Sequence, residues 1–590
     1  SGNLVFGAPL SVQSLTATAA AGAITQTGPI TADGAISLTS SGALSAGALT
    51  AATGVTVHTT GASGDITVNG ATVSNGTLSV ISDAGSVTLN SANYQTTKAG
   101  LLNTDPAILV EALGAGKTLT VNVNSNLTTN TSGGIKLVAG GDLTFSTSGC
   151  CGAGLVAAGN VVLSSAGEQI LTTNLGVGLF GAQVTLTAAQ GISLGSYGGP
   201  SIATTAGDAV VTAGGSGNIS VGAVSVTGGQ ASLSAPGNLT SGNVSATNAV
   251  GLMAGGSLTT GTVSSSSSTV GLTSAGALSA GALTAATGVT VHTTGASGDI
   301  TVNGATVSNG TLSVISDAGS VTLNSANYQT TKAGLLNTDP AILVEALGAG
   351  KTLTVNVNSN LTTNTSGGIK LVAGGDLTFS TSGCCGAGLV AAGNVVLSSA
   401  GEQILTTNLG VGLFGAQVTL TAAQGISLGS YGGPSIATTA GDAVVTAGGS
   451  GNISVGAVSV TGGQASLTAG GSLTSGTITT TANGNISLTT GTTLTVGSPV
   501  TAGGSGMVTL TANGATSDIL ANTNVASTSG AIIATAGRNV TLNAGNITTA
   551  GNVTLTGTAG TVSEAGAGKI SGTLLTTSSV GGTTLNGANT

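Results

Sequence analysis

The chain is short of the residue types that usually carry chemistry. Its 590 residues include no Trp and a single Arg, Arg538; charged residues make up 4% and aromatic residues 2%, against about 25% charged residues in an ordinary soluble domain. Eight basic residues against seventeen acidic ones give a net charge of −9. This balance argues against nucleic-acid binding, which depends on Lys and Arg contacts to phosphates.

So little charge raises the question of a membrane protein or a disordered chain. The apolar residues are dispersed among Thr, Ser, Asn and Gly, and the densest apolar stretch, around residues 150–158, falls far short of the roughly 20 residues that a spanning helix needs. Disorder does not fit, because Val, Ile and Leu are plentiful while Pro and charge are scarce. We therefore expect a folded chain that does not span a membrane and has a core of small residues.

The first residues, Ser1-Gly-Asn-Leu-Val-Phe, contain no Met, no basic segment and no continuous apolar run. No signal peptide is predicted within them, because such a peptide needs both a basic and an apolar region. We interpret the chain as a mature piece or an excerpt of a larger protein.

What the sequence does have is a long repeat without a single difference. Residues 42–233 reappear letter for letter as residues 276–467. A copy of this length is typical of quasi-one-dimensional architectures, in which each unit contacts only its neighbours and an added block lengthens the array. A recent gene duplication without selective meaning, or assembly from a longer array, would leave the same trace. The predicted divisions, all built of solenoid turns, are 1–41, block 1 at 42–233, a connection at 234–275, block 2 at 276–467 and a C-terminal part at 468–590.

Short phrases of alternating apolar and polar residues, each opened by Gly, recur along the chain. Examples are Gly54-Val-Thr-Val, Gly64-Asp-Ile-Thr-Val, Gly76-Thr-Leu-Ser-Val and Gly85-Ser-Val-Thr-Leu. Alternation with period two, bounded by Gly, indicates half-buried strands. The third phrase repeats the pattern of the first about one turn further along the chain, and the fourth repeats that of the second. We therefore predict an all-β fold, a parallel β-helix (β-solenoid) with about 20 residues in each turn. Val, Ile and Leu would form inward columns, and Thr and Ser would face outward.

One segment breaks this pattern. Residues 104–114 combine a capping Thr104 or Asp105, a Pro106 at the first helical position and a Gly114 that would end a helix. The segment returns at residues 338–348. We predict that each copy is a short helical excursion lying against the solenoid.

Several phrases are similar to those of a known family, the filamentous-haemagglutinin-like bacterial exoproteins. They are Gly484-Asn-Ile-Ser-Leu, Gly551-Asn-Val-Thr-Leu, Gly22-Ala-Ile-Thr-Gln-Thr-Gly-Pro-Ile-Thr-Ala and the segment leading into Gly116-Lys-Thr-Leu-Thr-Val-Asn-Val. The resemblance runs along nearly the whole chain and implies a right-handed β-helix, exported from a Gram-negative cell as a long adhesin or matrix fibre. Members secreted through an outer-membrane partner usually carry an Asn-Pro-Asn-Gly motif in an N-terminal export domain. This chain lacks that motif, so the export route stays open, as does the question of whether it uses an outer-membrane secretion partner.

The four cysteines form two adjacent pairs, Cys150-Cys151 and their copies Cys384-Cys385. With turns stacked at about 4.8 Å, the pairs are expected to lie about 56 Å apart, far beyond the roughly 4.4 to 6.8 Å between Cα atoms that a disulfide allows. Three states stay open: a vicinal disulfide within each pair, bridges to neighbouring molecules, and reduced thiols of which one packs inward. Metal binding is disfavoured, because no nearby His completes a ligand set.

Carboxylates offer the best case for a ligand site. Asp65, Asp83 and Asp105 follow one another at intervals near one predicted turn each, so they could form a column that holds a hard cation such as calcium. Solvated acids at solenoid corners are the plainer interpretation. His58 and its copy His292 are predicted to be surface residues. No catalytic residue and no cofactor are predicted, because sugar-cleaving β-helices need clustered acids with a basic residue and aromatic platforms, and the copied block contains neither Trp nor Arg.

Three lysines have a similar regularity. Lys98, Lys117 and Lys136 are evenly spaced, again at about one predicted turn, and would form a basic ladder for acidic glycans if the segment between them keeps the register of the turns. Like charges one turn apart repel each other, so a coincidental spacing is the alternative.

Together these features predict a non-enzymatic structural segment of a large bacterial fibre, extracellular or on the cell surface, that acts in adhesion, biofilm matrix or mechanical reach. Its partners would be cell-surface or matrix glycans, or other copies of itself. The alternative is a self-assembling filament or sheath subunit, joined through open strand edges or flat Thr, Ser and Gly faces. A remoter alternative is a polysaccharide-active β-helix enzyme. An ice-binding face is set aside, because the Thr-x-Thr phrases do not recur regularly on one strand of successive turns.

Overall fold

The computed structural model describes residues 2–590 except 92, 99–104, 123–125, 131, 147–153, 174–175, 196–198, 326, 333–339, 357–359, 364–365, 381–386, 408–409 and 430–432. The chain forms two compact units, Ser1–Ala286 and Thr287–Thr590. Each unit is a parallel β-solenoid in which a turn contributes strands to three ladders, and all strand pairings of the described residues are parallel. The predicted all-β parallel β-solenoid is confirmed.

In unit 1 the three ladders follow one another in each turn. The first ladder comprises Leu4–Phe6, Ile24–Gln26, Leu44–Ala46, Ile66–Val68, Val87–Leu89, Leu119–Asn122, Leu143–Ser146, Ile170–Thr173, Ile192–Leu194, Ile219–Val221, Leu239–Ser241, Leu258–Thr260 and Leu278–Ala280. The second comprises Leu10–Val12, Ile30–Ala32, Leu49–Ala51, Thr72–Ser74, Asn93–Thr96, Asn126–Thr129, Gly154–Val156, Gly178–Gly181, Val244–Ala246, Val263–Ser265 and Leu283–Ala285. The third comprises Leu15–Ala19, Ala35–Ser40, Gly54–Thr59, Leu78–Ser82, Ile108–Ala112, Ile135–Ala139, Val161–Ser165, Val184–Ala188, Val250–Ala254 and Thr269–Ser274. Two long strands, Ile202–Ala213 and Val224–Ala235, contribute to both the second and the third ladder.

Unit 2 has the same three ladders. The first comprises Ile300–Val302, Val321–Leu323, Leu353–Asn356, Leu377–Ser380, Ile404–Thr407, Ile426–Leu428, Ile453–Val455, Leu473–Ser475, Leu494–Val496, Ile519–Ala521, Val540–Leu542, Val562–Glu564 and Thr583–Thr584. The second comprises Thr306–Ser308, Asn327–Thr330, Asn360–Thr363, Ala387–Val390, Val411–Gly415, Ile436–Thr438, Val458–Val460, Ile478–Thr480, Val500–Ala502, Val525–Ser527, Ile547–Thr548 and Ile570–Ser571. The third comprises Gly288–Thr293, Leu312–Ser316, Ile342–Ala346, Ile369–Ala373, Val395–Ser399, Val418–Ala422, Ala443–Ala447, Ala465–Ala469, Ile486–Thr490, Val508–Ala512, Ile532–Ala536, Asn552–Gly557 and Leu574–Ser579.

Inward residues of successive strands form continuous apolar columns. One column in the third ladder of unit 1 consists of Leu163, Leu186, Val211, Leu233, Leu252 and Leu272, which are in register and buried. Burying one such side chain contributes roughly 1.5–3 kcal/mol. Because parallel pairing places like residues one above the other, these columns stabilise the coil with few large side chains.

The turns differ in length more than the sequence phrases suggest. Leu239 pairs with Leu258 across a short turn, whereas Val87 pairs with Leu119 across a turn more than half as long again. The additional residues lie between strands, so the ladders keep their register. A prediction that assumes a fixed repeat length therefore assigns the wrong neighbours to residues wherever a turn is long.

The predicted helical excursion is wrong for the described part of residues 104–114. Residues Ile108–Ala112 form a strand of the third ladder, and its copy is Ile342–Ala346. Ile108, Val110 and Ala112 are buried with period two, and the strand pairs with a strand on each side. Pairing on both sides outweighs the capping signals around Pro106. The described residues contain no helix, and hence none long and apolar enough to cross a membrane.

Inward hydroxyls satisfy backbone groups where strands end. The Ser82 hydroxyl donates to the carbonyl of Gly64 at 2.7 Å and accepts the N–H of Gly85 at 2.8 Å. The Thr59 hydroxyl donates to the same Gly64 carbonyl. Buried polar groups need such partners, so Ser and Thr at these inward positions hold the corners together.

Tyr94 and its copy Tyr328 are among the largest fully buried side chains. The Tyr94 hydroxyl donates to the carbonyl of Val68 at 2.9 Å and accepts the N–H of Ser91 at 3.3 Å. Burial raises the pKa of both tyrosines far above the ordinary value for a phenol. The hydroxyls therefore act as neutral hydrogen-bonding groups.

Close stacking of the corners explains some of the glycines. A Cβ atom at Gly255, just after the strand Val250–Ala254, would overlap the carbonyl oxygen of Pro236 in the preceding turn. A Cβ atom at Gly251, an outward position of the same strand, would meet nothing within 4 Å. Only the first of these glycines is required by packing.

We predict that Gly255→Ala destabilises its turn by about 1–3 kcal/mol because the corner must move apart. Gly251→Ala should change the local stability by less than about 0.5 kcal/mol. Hydrogen exchange of the amides in residues 250–260, which lie in the part of the chain that is not copied, measures both. Equal exchange in the two variants would contradict the packing argument.

Candidate functional site

Aspartates that precede strands bind the backbone of the next turn. In each case a carboxylate oxygen accepts an N–H of the next turn, from the residue that precedes the paired strand; the exception is Asp208 with Gln230, which lie within the long strands Ile202–Ala213 and Val224–Ala235. The pairs are Asp65 with Ser86 at 2.8 Å, Asp142 with Gln169 at 3.0 Å, Asp208 with Gln230 at 2.9 Å, Asp299 with Ser320 at 2.7 Å, Asp376 with Gln403 at 3.0 Å, Asp442 with Gln464 at 2.8 Å and Asp518 with Asn539 at 3.0 Å. Many of the chain's few acids thus stabilise corners.

Asparagines do the same with a neutral side chain. The Asn218 side-chain oxygen accepts the N–H of Asn238 at 2.6 Å, and the Asn238 oxygen accepts the N–H of Ser257 at 2.8 Å. This role explains the recurring sequence of Gly, then Asn or Asp, then an apolar residue. A corner N–H has no strand partner, and the side-chain oxygen supplies the acceptor that it would otherwise lack.

The three acids predicted as a cation column lie at different places. Asp65 accepts the N–H of Ser86; Asp83 accepts a hydrogen bond from the Nε2 atom of His58 at 3.0 Å; and Asp105 forms an ion pair with Lys98 at 2.6 Å. The column that starts at Asp65 continues through Ser86, not through Asp83. Within the described residues there is no group of three His, Cys, Asp or Glu side chains that could hold a metal ion.

The three lysines also lie on different parts of the turn. Lys98 follows a strand of the second ladder, Lys117 precedes one of the first, and Lys136 lies within one of the third. The ammonium group of Lys136 is 3.1 Å from a carboxylate oxygen of Glu111, and that of Lys98 is paired with Asp105. The structure does not bring the three ammonium groups into one column.

Cys150, Cys151, Cys384 and Cys385 lie outside the described residues. The three states proposed for them from the sequence therefore stay predictions.

Arg538 forms a bidentate ion pair one turn back, with Asp518. Its Nε and Nη2 atoms are 2.9 and 2.5 Å from the two carboxylate oxygens. The hydrogen bond from Arg538, together with the N–H of Asn539, holds the pKa of Asp518 below its usual value. Nothing in the sequence indicates this pair, because residues one turn apart can be recognised as neighbours only when the length of that turn is known.

A polar groove lies beside the first ladder, in the same place in both units. Its volume is about 410 Å³ in unit 1 and about 440 Å³ in unit 2. The lining residues in unit 1 are Gln169, Gln190, Gly191, Ile192, Ser193, Ser216, Gly217, Asn218 and Ser220, and those in unit 2 are their copies Gln403, Gln424, Gly425, Ile426, Ser427, Ser450, Gly451, Asn452 and Ser454. Every one of them is uncharged.

Glycine and exposed amides shape this groove. A Cβ atom at Gly217 would overlap the carbonyl oxygen of Gln190, as one at Gly451 would overlap that of Gln424. The side chains of Gln169, Gln190 and Ser220 are exposed and make no hydrogen bond to another described residue. The groove therefore offers several free donors and acceptors at fixed spacing, which suits an uncharged ligand rich in hydroxyl groups. Sequence reasoning missed it, because its residues come from three successive turns.

Fold and surface together define a repeat protein built as a parallel β-solenoid. Comparisons with protein-family models, with curated proteins and with solved structures returned no match.

The corner asparagines provide the first prediction from this surface. Asn238→Ala removes the acceptor for the Ser257 N–H and should cost about 1 kcal/mol, which corresponds to roughly fivefold faster hydrogen exchange at Ser257. Asn238→Asp keeps an oxygen in place and should retain the protection. Ser257 lies outside the copied blocks, so its peptide is unique. Unchanged exchange in the alanine variant would show that these oxygens do not hold the corner.

The Asp518–Arg538 pair provides a second prediction, on pH dependence. Because the folded pKa of Asp518 is lowered, the pair stabilises the fold above the unfolded pKa of about 3.9. The stabilisation is lost as the pH falls below about 4 and passes through the folded pKa. Hydrogen exchange at Asn539, measured across this range, should show an acid-dependent loss of protection in the wild type. Asp518→Asn should lack this additional loss; an identical pH profile in the two proteins would contradict the assignment.

Proposed function

We propose that the chain is a non-catalytic structural segment of a secreted or surface-attached bacterial fibre, and that it adheres to neutral glycans through the two grooves. The observation that carries the proposal is the uncharged groove of free amides and hydroxyls, repeated in both units. Sugar hydroxyls both donate and accept hydrogen bonds, and the carboxamides of Gln169 and Gln190 do the same.

A neutral glycan suits the grooves better than an acidic one. Two of the three lysines of the predicted basic ladder already have an acidic partner, since Lys98 is paired with Asp105 and Lys136 with Glu111. The net charge of −9 also disfavours polyanions. Two identical sites on one chain would bind a polymeric ligand far more tightly than either site alone, provided that the polymer reaches both.

The resemblance to filamentous-haemagglutinin-like exoproteins supports the extracellular or cell-surface location. A β-solenoid of small uncharged residues suits a fibre whose work is reach and contact. Adhesion, matrix cohesion and mechanical reach are compatible with this architecture, and the grooves favour adhesion.

Self-assembly into a filament is the second candidate. It is favoured by outward valines on the second ladder, Val73 and Val156, which are 37% and 46% exposed, and by their copies Val307 and Val390 at 39% and 45%. Exposed apolar side chains at repeated positions provide contacts for another copy of the chain.

Glutamine variants test the adhesion proposal. Gln190→Ala with Gln424→Ala removes one free carboxamide from each groove and should abolish retention on at least one of three resins that carry glucan, mannan or galactan. Either single variant should retain partial binding, because one groove remains. Gln95→Ala with Gln329→Ala, at outward positions of the second ladder, is the matched control and should bind like the wild type.

Three outcomes would contradict the proposal. One is absence of wild-type binding to all three resins, and another is equal elution of the groove variant and the wild type. The third is retention only on a sulfated resin, lost when Lys98, Lys117 and Lys136 and their copies Lys332, Lys351 and Lys370 are changed to Gln, which would support the basic ladder instead. Sedimentation over a concentration series in the same buffer distinguishes self-assembly, which would appear as polymers without any glycan.

A further inference from the structure

The outer face of the third ladder in unit 2 carries an unbroken column of threonines. Seven successive strands, from Val418–Ala422 to Asn552–Gly557, each place a Thr at the same outward position. The column, in register throughout, is Thr421, Thr446, Thr468, Thr489, Thr511, Thr535 and Thr556.

A second outward column lies two residues earlier on the same strands. It consists of Thr419, Val444, Ser466, Ser487, Thr509, Ile533 and Thr554. Neighbouring residues of a column are about 4.8 Å apart, and the two columns are about 6.6 Å apart along the strands. The seven turns therefore form a regular two-column array about 29 Å long.

The sequence-based objection to such an array holds for the second column, where only Thr419, Thr509 and Thr554 complete a Thr-x-Thr phrase, but it does not hold for the first column. The interval between successive threonines of the column changes from one turn to the next, so no fixed repeat is visible in the sequence. The differences in length lie between the strands, and pairing in register aligns the threonines again. Only the structure shows that these phrases share one face.

Most side chains of this array have few accessible rotamers, and the threonine hydroxyls are free to bind. Except for Ser466 and Ser487, the residues are Thr, Val or Ile, whose branching at Cβ restricts their χ1 rotamers, so most of the hydroxyls and methyls have little conformational freedom to lose. None of the seven Thr hydroxyls of the first column makes a hydrogen bond to another described residue, and each of these residues is at least partly exposed. Asp442, which borders one strand, lies at a corner and accepts the N–H of Gln464.

The chemistry of the array indicates what kind of ligand fits it. Protein interfaces depend on buried Trp, Tyr and Arg anchors, and sugars in β-helix enzymes stack on aromatic platforms. The two columns contain no aromatic residue and no Arg. They offer an uncharged plane of hydroxyls and methyls with two fixed spacings. A ligand that matches such a plane is itself a flat, neutral and periodic network of hydrogen-bonding oxygens. We propose that this face binds the surface of ice crystals.

Unit 1 contains a natural comparison for this face. The corresponding column there includes Thr187, Thr212 and Ser234 but is then interrupted by Met253, whose side chain is 57% exposed. The other outward column of the same turns contains Gly251. Among the described strands of the third ladder, the array is therefore continuous over seven turns only in unit 2.

Ice-affinity partitioning of the intact chain tests the proposal. Ice is grown slowly from a dilute solution, and the fraction of protein in the ice is compared with that in the liquid. The wild type should be enriched in the ice relative to serum albumin, which is excluded from it. Thr511→Tyr places a bulky side chain in the middle of the array and should remove the enrichment.

Thr187→Tyr is the matched control. Thr187 and Thr511 occupy the same position of strands with the same sequence, Val-Thr-Leu-Thr-Ala, and Tyr is favourable in strands. Thr187→Tyr should partition like the wild type. Thr511→Val, which keeps the shape and removes one hydroxyl, is a second variant in case the tyrosine disturbs folding, and should lower the enrichment. Thermal unfolding identifies any variant that fails to fold.

Exclusion of the wild type from ice would overturn the proposal, as would equal loss of enrichment in Thr511→Tyr and Thr187→Tyr. Polymers that form in the liquid and disappear in Thr511→Tyr, without any enrichment in ice, would also overturn it and would identify this face as a contact between copies. Retention on glycan resins is measured independently, so failure of ice binding does not affect the proposal for the grooves.

Discussion

Parallel hydrogen bonding between successive turns is the constraint on which the rest of this structure depends. Each strand takes its register from the strand before it, as when the N–H of Ile66 bonds to the carbonyl of Ser86. Because like residues then lie one above another, apolar side chains form inward columns and hydroxyls form outward ones. The exceptional composition follows from this: a column of Leu and Val needs neither Trp nor charge to hold the coil together.

The corners are where this arrangement is hardest to satisfy. A backbone that turns between ladders leaves N–H groups without strand partners, and the chain supplies them with oxygens from Asp65, Asn218 and Asn238. Asp and Asn can both do this, because their side chains have the same length and each carries an oxygen that accepts a hydrogen bond. Of the three carboxylates that look like the best ligand candidates in the sequence, Asp65 is therefore engaged in holding a corner, while Asp83 pairs with His58 and Asp105 with Lys98.

The sequence predicts the fold class well because period-two alternation, as in Ile66–Val68, depends only on neighbouring residues. It fails where the outcome depends on distant ones. The segment Ile108–Ala112 carries helix-capping signals nearby but forms a strand, because two parallel neighbours are available to it. The grooves and the column from Thr421 to Thr556 are equally invisible, since variable turns conceal which residues share a face. The proximity of Arg538 to Asp518 is concealed in the sequence for the same reason.

Variation in turn length also bears on how such a chain can change over generations. The short turn from Leu239 to Leu258 and the long one from Val87 to Leu119 support the same ladders, so insertions and deletions between strands leave the core intact. One residue gained inside a strand would instead exchange its two faces. Mutation can therefore remodel the outer loops, or add and remove whole turns, at little cost to folding. The same architecture makes the interior of each strand intolerant of any change in length.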